Sequence, residues 1–337
     1  MSKDAENMSR SIVLNDFGRP DVLLMQQTSV PLPALDEVRL RIRAIGINRT
    51  EITLRSGRSV VKPTLPTGIG FEAAGEIDAI GADVTGYSIG DRVALIPTYS
   101  AAQYGLYGEV SLAPARSLVR VPDQMSFVDA AATWVAFGTA WGGLRSVGSL
   151  TAGETVLITA ASSSVGLAAI QIANRIGARA IAVTRTMRKV EALRAHGAAQ
   201  VIATAEQQLE IEVKRLTDGN GADLVFDAVG GPGFSALAKS TKAGGLIVLY
   251  GALDTNPTVV PPFDVFARDL TIRGFALPAL AKDEQARESL KGFVQTGLDD
   301  GSLRPVIAKT FSFDDIAKAH RFVESAEHIG KVVVTVS

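Results

Sequence analysis

The sequence predicts a two-domain α/β protein: a β-rich, barrel-like domain and a doubly wound parallel sheet. Three observations carry this expectation. The first third of the chain alternates short apolar runs with glycine and proline breakers. From about residue 150, strand-length apolar runs alternate with helix-length segments, the pattern of a parallel sheet with right-handed crossovers. The length of 337 residues is large for one core.

The elements follow in order. In residues 38–44, Val38, Leu40, Ile42 and Ala44 alternate with Arg39, Arg41 and Arg43, a period of two that makes a strand with one wet face. The arginines read as a solvated face. Pro31-Leu32-Pro33 and Lys62-Pro63-Thr64-Leu65-Pro66 mark loops, and Gly70, Gly75, Gly81 and Gly90 suit tight turns of a small barrel. An alanine-rich helix is expected over 127–145. Strands are then expected over 156–159, 180–184, 200–202, 224–229 and 245–250. Helices are expected over 168–176, 187–196, 207–216 and 234–240. Residues 270–275 read as a sheet-edge strand. Helix 283–297, a strand, helix 313–326 and strand 331–336 form a tail that rejoins the first domain. No internal repeat appears.

Composition removes several classes. Hydrophobic residues are 47% and charged residues 20%, the balance of a globular protein. A net charge of -1 gives no basic field for nucleic acid or an anionic membrane. No apolar run reaches the roughly 18 residues that suggest a membrane span. Residues 1–10 read as a loose polar tail and not a signal peptide, so the sequon Asn7-Met8-Ser9 is discounted. The absence of cysteine excludes disulfides, thiolate–metal bonds and a cysteine nucleophile, and fits a cytoplasmic protein.

The stretch Thr155-Val156-Leu157-Ile158-Thr159-Ala160-Ala161-Ser162-Ser163-Ser164-Val165-Gly166-Leu167 reads as buried strand, small-residue turn and helix start. That order points free helix N–H groups at an anion. It matches the dinucleotide fingerprint G-x-G-x-x-G only at Gly166, with Ala161 and Ser163 in place of the first two glycines. A phosphate cradle and a plain packing turn both fit. At the end of the second strand, Val183-Thr184-Arg185-Thr186 with Lys189 offers cations where a carboxylate would select an unphosphorylated ribose. Thr184, Arg185 and Lys189 therefore favour a 2′-phosphate and NADPH over NADH, against the alternative of ordinary exposed helix-start cations.

Taken together, the motifs resemble the medium-chain dehydrogenase/reductase superfamily, in its zinc-free quinone oxidoreductase-like branch. Gly46-Ile47-Asn48-Arg49-Thr50-Glu51 continuing to Arg55-Ser56-Gly57, Gly70-Phe71-Glu72-Ala73-Ala74-Gly75, Gly90-Asp91-Arg92-Val93 and Ala160-Ala161-Ser162-Ser163-Ser164-Val165-Gly166 carry the match in order. The resemblance implies a GroES-like domain from residues 1–127 and 275–337, and a Rossmann domain from residues 128–274. It implies cofactor contacts from Asn48, Thr139, Ser162, Ser163, Ser164, Val165, Gly166, Thr184, Arg185, Lys189, Tyr250, Gly251, Ala252 and Lys331. It also implies a homodimer paired through the edge strand. Zinc members of the superfamily carry cysteine where Asn48 stands and histidine where Phe71 stands, so no zinc is expected. His196, His320 and His328 read as surface or capping residues.

The expected activity is NADPH-dependent hydride transfer to a quinone or α,β-unsaturated carbonyl, whose charge spreads onto an oxygen that hydrogen-bond donors can stabilise. Relatives often carry tyrosine where Thr53 or Ser59 stands, so no proton donor transfers by position. Asn48, Tyr99 and Tyr104 are the candidate catalytic residues. For Asn48 a turn residue satisfying its own backbone is the alternative. For Tyr99, Tyr104 and Tyr107 the alternative is packing in a glycine-broken loop. Reduction of simple carbonyls (or the reverse alcohol oxidation) and a non-catalytic nucleotide-binding protein are the competing functions.

Overall fold

The computed structural model describes residues 8–59, 62–99 and 102–337. Along the chain run β1 (Met8–Leu14), β2 (Leu23–Ser29), β3 (Glu37–Ile47), α1 (Arg49–Arg55), β4 (Thr67–Gly68), β5 (Ala73–Ile80), β6 (Arg92–Leu95), β7 (Val110–Pro114), β8 (Leu118–Arg120), α2 (Phe127–Ala130) and α3 (Trp134–Trp141). Next come β9 (Thr155–Ile158), α4 (Ser164–Ile176), β10 (Arg179–Thr184), α5 (Val190–Ala195), β11 (Gln200–Ala203), α6 (Leu209–Leu216), β12 (Ala222–Asp227), α7 (Phe234–Ser240), β13 (Thr241–Leu249), α8 (Pro262–Ala267), β14 (Thr271–Gly274), α9 (Leu277–Ala281) and α10 (Glu284–Asp299). The chain ends with β15 (Ile307–Ser312), α11 (Ile316–Ser325) and β16 (Lys331–Thr335). Residues 1–7, with Asn7 of the sequon, lie outside the described residues, but Met8–Arg10, expected in the loose tail, open β1. Burial of Ile12 and Leu14 and the Arg10–Glu109 ion pair hold that strand in place.

Contacts divide the chain into two units, residues 1–135 with 305–337, and residues 136–304. In the first unit β3 is the central strand. It pairs antiparallel with β5, and on its other edge with β7 along its first half and β16 along its second. The expected alternation holds: Val38, Leu40, Ile42 and Ala44 are buried, while Arg39 and Arg43 pair outside with Asp78 and Glu76. The helix expected over 127–145 is instead α2, a turn, α3 and a π-helical segment at Gly142–Val147. The restart at α3 has a partner ready: the N–H of Val135 donates to Glu72 at 2.8 Å. This contact ties residues up to 135 to the first unit.

The second unit holds a parallel sheet of order β11-β10-β9-β12-β13-β14. Direction of winding reverses between β9 and β12, so their carboxyl ends flank the switch point where ligands bind in such sheets. The core is Leu157, Ile181, Ile202, Val225 and Ile247 from neighbouring strands, closed by Phe234 and Leu237. β14 lies at the edge, as expected. Residues 275–304 group with this sheet and not with the barrel. The reason is packing: Leu277 and Leu290 lie within 3.1–3.3 Å of where a Cβ on Gly138 would stand, and Arg304 donates its N–H to Gln171 at 2.7 Å. Among the described residues no helix is long and apolar enough to cross a membrane.

Candidate functional site

In the first unit the site residues form a buried polar cluster. Asn48 precedes α1 in extended conformation, and its N–H donates to Glu51 at 2.9 Å. Its amide nitrogen donates to the Gly46 carbonyl at 3.1 Å, and its amide oxygen accepts from Lys331 Nζ. The same ammonium donates to Glu72, whose other oxygen holds Val135. Glu51 and Glu72 are fully buried, and Lys331 is 1% exposed. Burial pushes the Glu51 carboxyl up to about 7, against the opposing pull of the Lys331 charge. Gly46 is required here. A Cβ would stand 2.0 Å from the Ala131 carbonyl oxygen, 2.8 Å from Glu72 and 2.9 Å from Lys331.

The Asn48 amide makes these bonds while 9% exposed, and the Lys331 ammonium lies buried against it. Tyr104 donates its O–H to Glu37 at 2.8 Å; burial first and then that bond push the phenol up to about 12. Tyr99 is 1% exposed and its hydroxyl has no hydrogen-bond partner among the described residues; burial, with Glu72 and Glu51 nearby, pushes it up. Tyr107 pairs with His320 Nε2 at 3.1 Å. The reading of His320 as a surface residue is therefore corrected. The amphipathic spacing of Ile316, Ala319, His320 and Val323 turns it inward with the apolar side of α11, and burial, helped by Arg55, holds its pKa down at about 3.

The residues at this position do not fit a metal ion. Phe71 has no ligating atom, and the Asn48 amide oxygen and a Glu72 carboxylate oxygen already accept from the Lys331 ammonium. Among the described residues no group of three histidine, cysteine, aspartate or glutamate side chains is arranged to hold one.

In the second unit β9 ends in the expected turn. Ala160 takes a positive φ of 45°, and Ser163 caps α4 by accepting the Gly166 N–H at 3.1 Å. Gly166 keeps helix and strand close, since a Cβ there would stand 2.6 Å from Ala161. Ser164 and Val165 open the first turn, where backbone N–H groups lack intrahelical acceptors. Lys189 donates to Ser162 at 3.0 Å, so the second-strand cation reaches the first-strand turn. Arg185 lies exposed just beyond β10, and Thr184 is buried at its end. Thr139 is buried in α3. Tyr250 stacks on Phe226 at 4.0 Å and donates its N–H to the Asp227 carbonyl at 2.9 Å; burial, then Asp227, pushes its hydroxyl up. Gly251 passes close to the Ala228 carbonyl, and Ala252 is exposed.

The sequence reading missed Asp227. Fully buried at the end of β12, it accepts from the Thr159 hydroxyl at 2.6 Å and from the N–H groups of Val229 and Gly230 at 2.9 Å each. Thr159 in turn accepts the Ala228 N–H at 2.9 Å. These bonds shape the turn beside the switch point. A carboxylate closing an apolar strand, and Glu72 as a lone charge between Phe71 and Ala73, were the available signals.

A family model for the alcohol dehydrogenase GroES-like domain matches residues 34–123, and one for zinc-binding dehydrogenase matches residues 164–294. The chain is 30% identical over 331 residues to quinone oxidoreductase of Lama guanicoe, covering 98% of each. Among solved structures it is similar to an NAD-dependent alcohol dehydrogenase, with TM-score 0.87, 31% identity, and 97% and 100% of the two chains covered. It is also similar to Escherichia coli quinone oxidoreductase complexed with NADPH, with TM-score 0.89, 26% identity, and 97% and 99% covered.

Proposed function

The chain belongs to the medium-chain dehydrogenase/reductase superfamily, in its quinone oxidoreductase-like branch, and from that premise we propose that it is a zinc-independent, NADPH-dependent oxidoreductase reducing a quinone or an α,β-unsaturated carbonyl. The observation that carries this reading is the ammonium of Lys331 held between Asn48 and Glu72, beside a Phe71 that has no ligating atom. Without a Lewis acid, the favoured acceptor is one that spreads its charge by conjugation. The quinone oxidoreductases among its relatives support the same class.

NADPH, when bound, supplies the hydride. The chain's part is to hold and orient. The first-turn N–H groups of Ser164 and Val165 meet the pyrophosphate, together with the hydroxyls of Ser162 and Ser163. Those two serines accept from Lys189 and from the Gly166 N–H, which leaves each hydroxyl hydrogen to donate. Gly166 admits the close approach. Arg185 and Lys189 bind the 2′-phosphate beside Thr184. In the second unit Tyr250, Gly251, Ala252 and Thr139 are the proposed contacts of the cofactor; in the first unit Asn48, bonded to Lys331, is the proposed contact of the nicotinamide. Of Tyr99, Tyr104 and Tyr107, Tyr99 has no hydrogen-bond partner for its O–H among the described residues and is the side-chain candidate for the proton; Tyr104 has spent its own on Glu37.

The enzyme acts as a cytoplasmic homodimer in this reading. Strand β14 is at a sheet edge, and Phe263 and Phe266 of α8 are 76% and 67% exposed, an apolar surface suited to a second copy. A monomer in light scattering would remove that part.

The test is consumption of NADPH and NADH across quinones, enones, aldehydes and ketones, with zinc measured in the purified protein. Turnover of quinones or enones with NADPH is expected. A stoichiometric zinc signal, or activity confined to simple carbonyls, would replace the reading with the alcohol dehydrogenase class represented by the NAD-dependent neighbour. NADPH binding without turnover of any acceptor would point to a non-catalytic nucleotide-binding protein.

A further inference from the structure

We propose that Lys331 is a positioning residue: its buried ammonium holds the Asn48 carboxamide by its oxygen and so sets the orientation in which Asn48 meets a bound nicotinamide. The proposal rests on the reading above that Asn48 lies at the nicotinamide.

An asparagine amide is nearly symmetric in shape, so its orientation is decided by what surrounds it. The Asn48 amide nitrogen meets acceptors, the Gly46 carbonyl at 3.1 Å and oxygens of Glu51 and Glu72 at 3.4 Å each, while its oxygen meets donors, the Glu51 N–H of the capping box and Lys331 Nζ. The only cation against the amide among the described residues is Lys331 Nζ. Reversing the amide would turn its NH2 onto an ammonium and its oxygen onto the Gly46 carbonyl. Both contacts become repulsive.

The lysine is itself well placed to decide this. Its backbone is fixed by donation to the Val306 carbonyl at 2.7 Å and by pairing of β16 with β15 and β3. Its side chain ends between a Glu72 carboxylate oxygen and the Asn48 amide oxygen, both within hydrogen-bond distance. The charged and titratable groups around the cluster are Glu51 and Arg55 of α1, Glu72 before β5, and Tyr99 and Tyr107. The missing side chain at Gly46 leaves the volume that Glu72 and Lys331 occupy.

The test uses two variants of the full chain, Lys331→Met alone and the double Glu72→Gln/Lys331→Met. Breaking one side of a buried pair strands the other charge, so the single variant is expected to lose stability; replacing both with neutral groups of similar shape restores the fold. For the double variant the expected result is NADPH affinity within about threefold of wild type and a 10- to 100-fold fall in kcat for a para-quinone, with KM little changed, as a misplaced orienting group produces. Its crystal structure is expected to show the Asn48 amide reversed or swung away from Gly46. A double variant with wild-type kcat, or one that keeps the Asn48 orientation, overturns the proposal. If the wild type itself transfers no hydride to any acceptor, the functional reading falls instead, and the Asn48 orientation in the double variant still decides for or against Lys331.

Discussion

Replacing Thr159 by valine removes one hydroxyl and almost no volume, at the point where β9 and β12 diverge. That hydroxyl is 2.6 Å from Asp227 and accepts the Ala228 N–H at 2.9 Å, with both side chains buried. The carboxylate loses a bond of the charge-assisted kind, about 1.5–3 kcal/mol, and a buried N–H is stranded at about 1–3 kcal/mol. The two losses overlap, and the added methyl returns about 0.8 kcal/mol. A net destabilisation of about 3 kcal/mol is expected, which lowers the melting temperature of a unit of this length by about 6–12 °C. Thr159→Ser keeps the hydroxyl and gives up a methyl, at about 1 kcal/mol. The assay is urea and thermal unfolding of wild type and both variants, with NADPH titrated by fluorescence. Valine should also weaken NADPH more than serine does, because the 228–230 turn is held through Asp227. A valine variant as stable as the serine one would refute this account of the switch-point turn.

Arg185→Ala should raise the Kd for NADPH about tenfold, the loss of one charge-assisted contact, and leave NADH within twofold; tighter NADH than NADPH binding by the wild type would reject the 2′-phosphate assignment. Ser163→Leu removes the α4 cap, for about 1 kcal/mol of stability, and places bulk at the phosphate turn. NADPH affinity should fall sharply, and unchanged affinity would locate the phosphates elsewhere. The pH dependence of stability pits two buried groups against each other. Glu51, pushed up to about 7, keeps a proton that the unfolded chain loses above about 4.5, so its contribution is present below that pH and lost as pH rises through 7. His320, held down at about 3, stays neutral where the unfolded chain takes up a proton, so its contribution is present above 6.5 and lost as pH falls. Between pH 4.5 and 6.5 the slopes oppose and wild-type stability should be nearly flat. Glu51→Gln should then gain stability with rising pH by about 1.4 kcal/mol per unit, and His320→Gln should lose it at a similar rate. Urea melts across that range check both, and a flat Glu51→Gln profile would remove Glu51 from the account.

Strand β3 and the alternation of strands and helices after residue 150 were legible because burial imprints a local period on the chain, two for Val38 to Ala44 and about 3.6 for α4. The turn before α4 was legible for the same local reason, since strand, small residues, cap and Gly166 are contiguous. Boundaries were harder. Whether residues 275–304 join the barrel or the sheet depends on Leu277 and Leu290 meeting Gly138, which no local pattern announces. His320 shows the same limit: its place on the inner face of α11 follows from periodicity, but its pairing with Tyr107 does not.

By itself, then, the sequence determined the two architectures and the strand, small-residue turn and helix start through Ser162–Gly166, with Arg185 and Lys189 after the next strand. Only the tertiary structure decided the polar partners. Asn48 meets Lys331 across 283 positions, Glu72 meets it across 259, and Thr159 meets Asp227 across 68. A hydrophobic face needs only to be buried and can be read from spacing, whereas a buried charge needs one particular partner at hydrogen-bond distance, and folding alone brings that partner there.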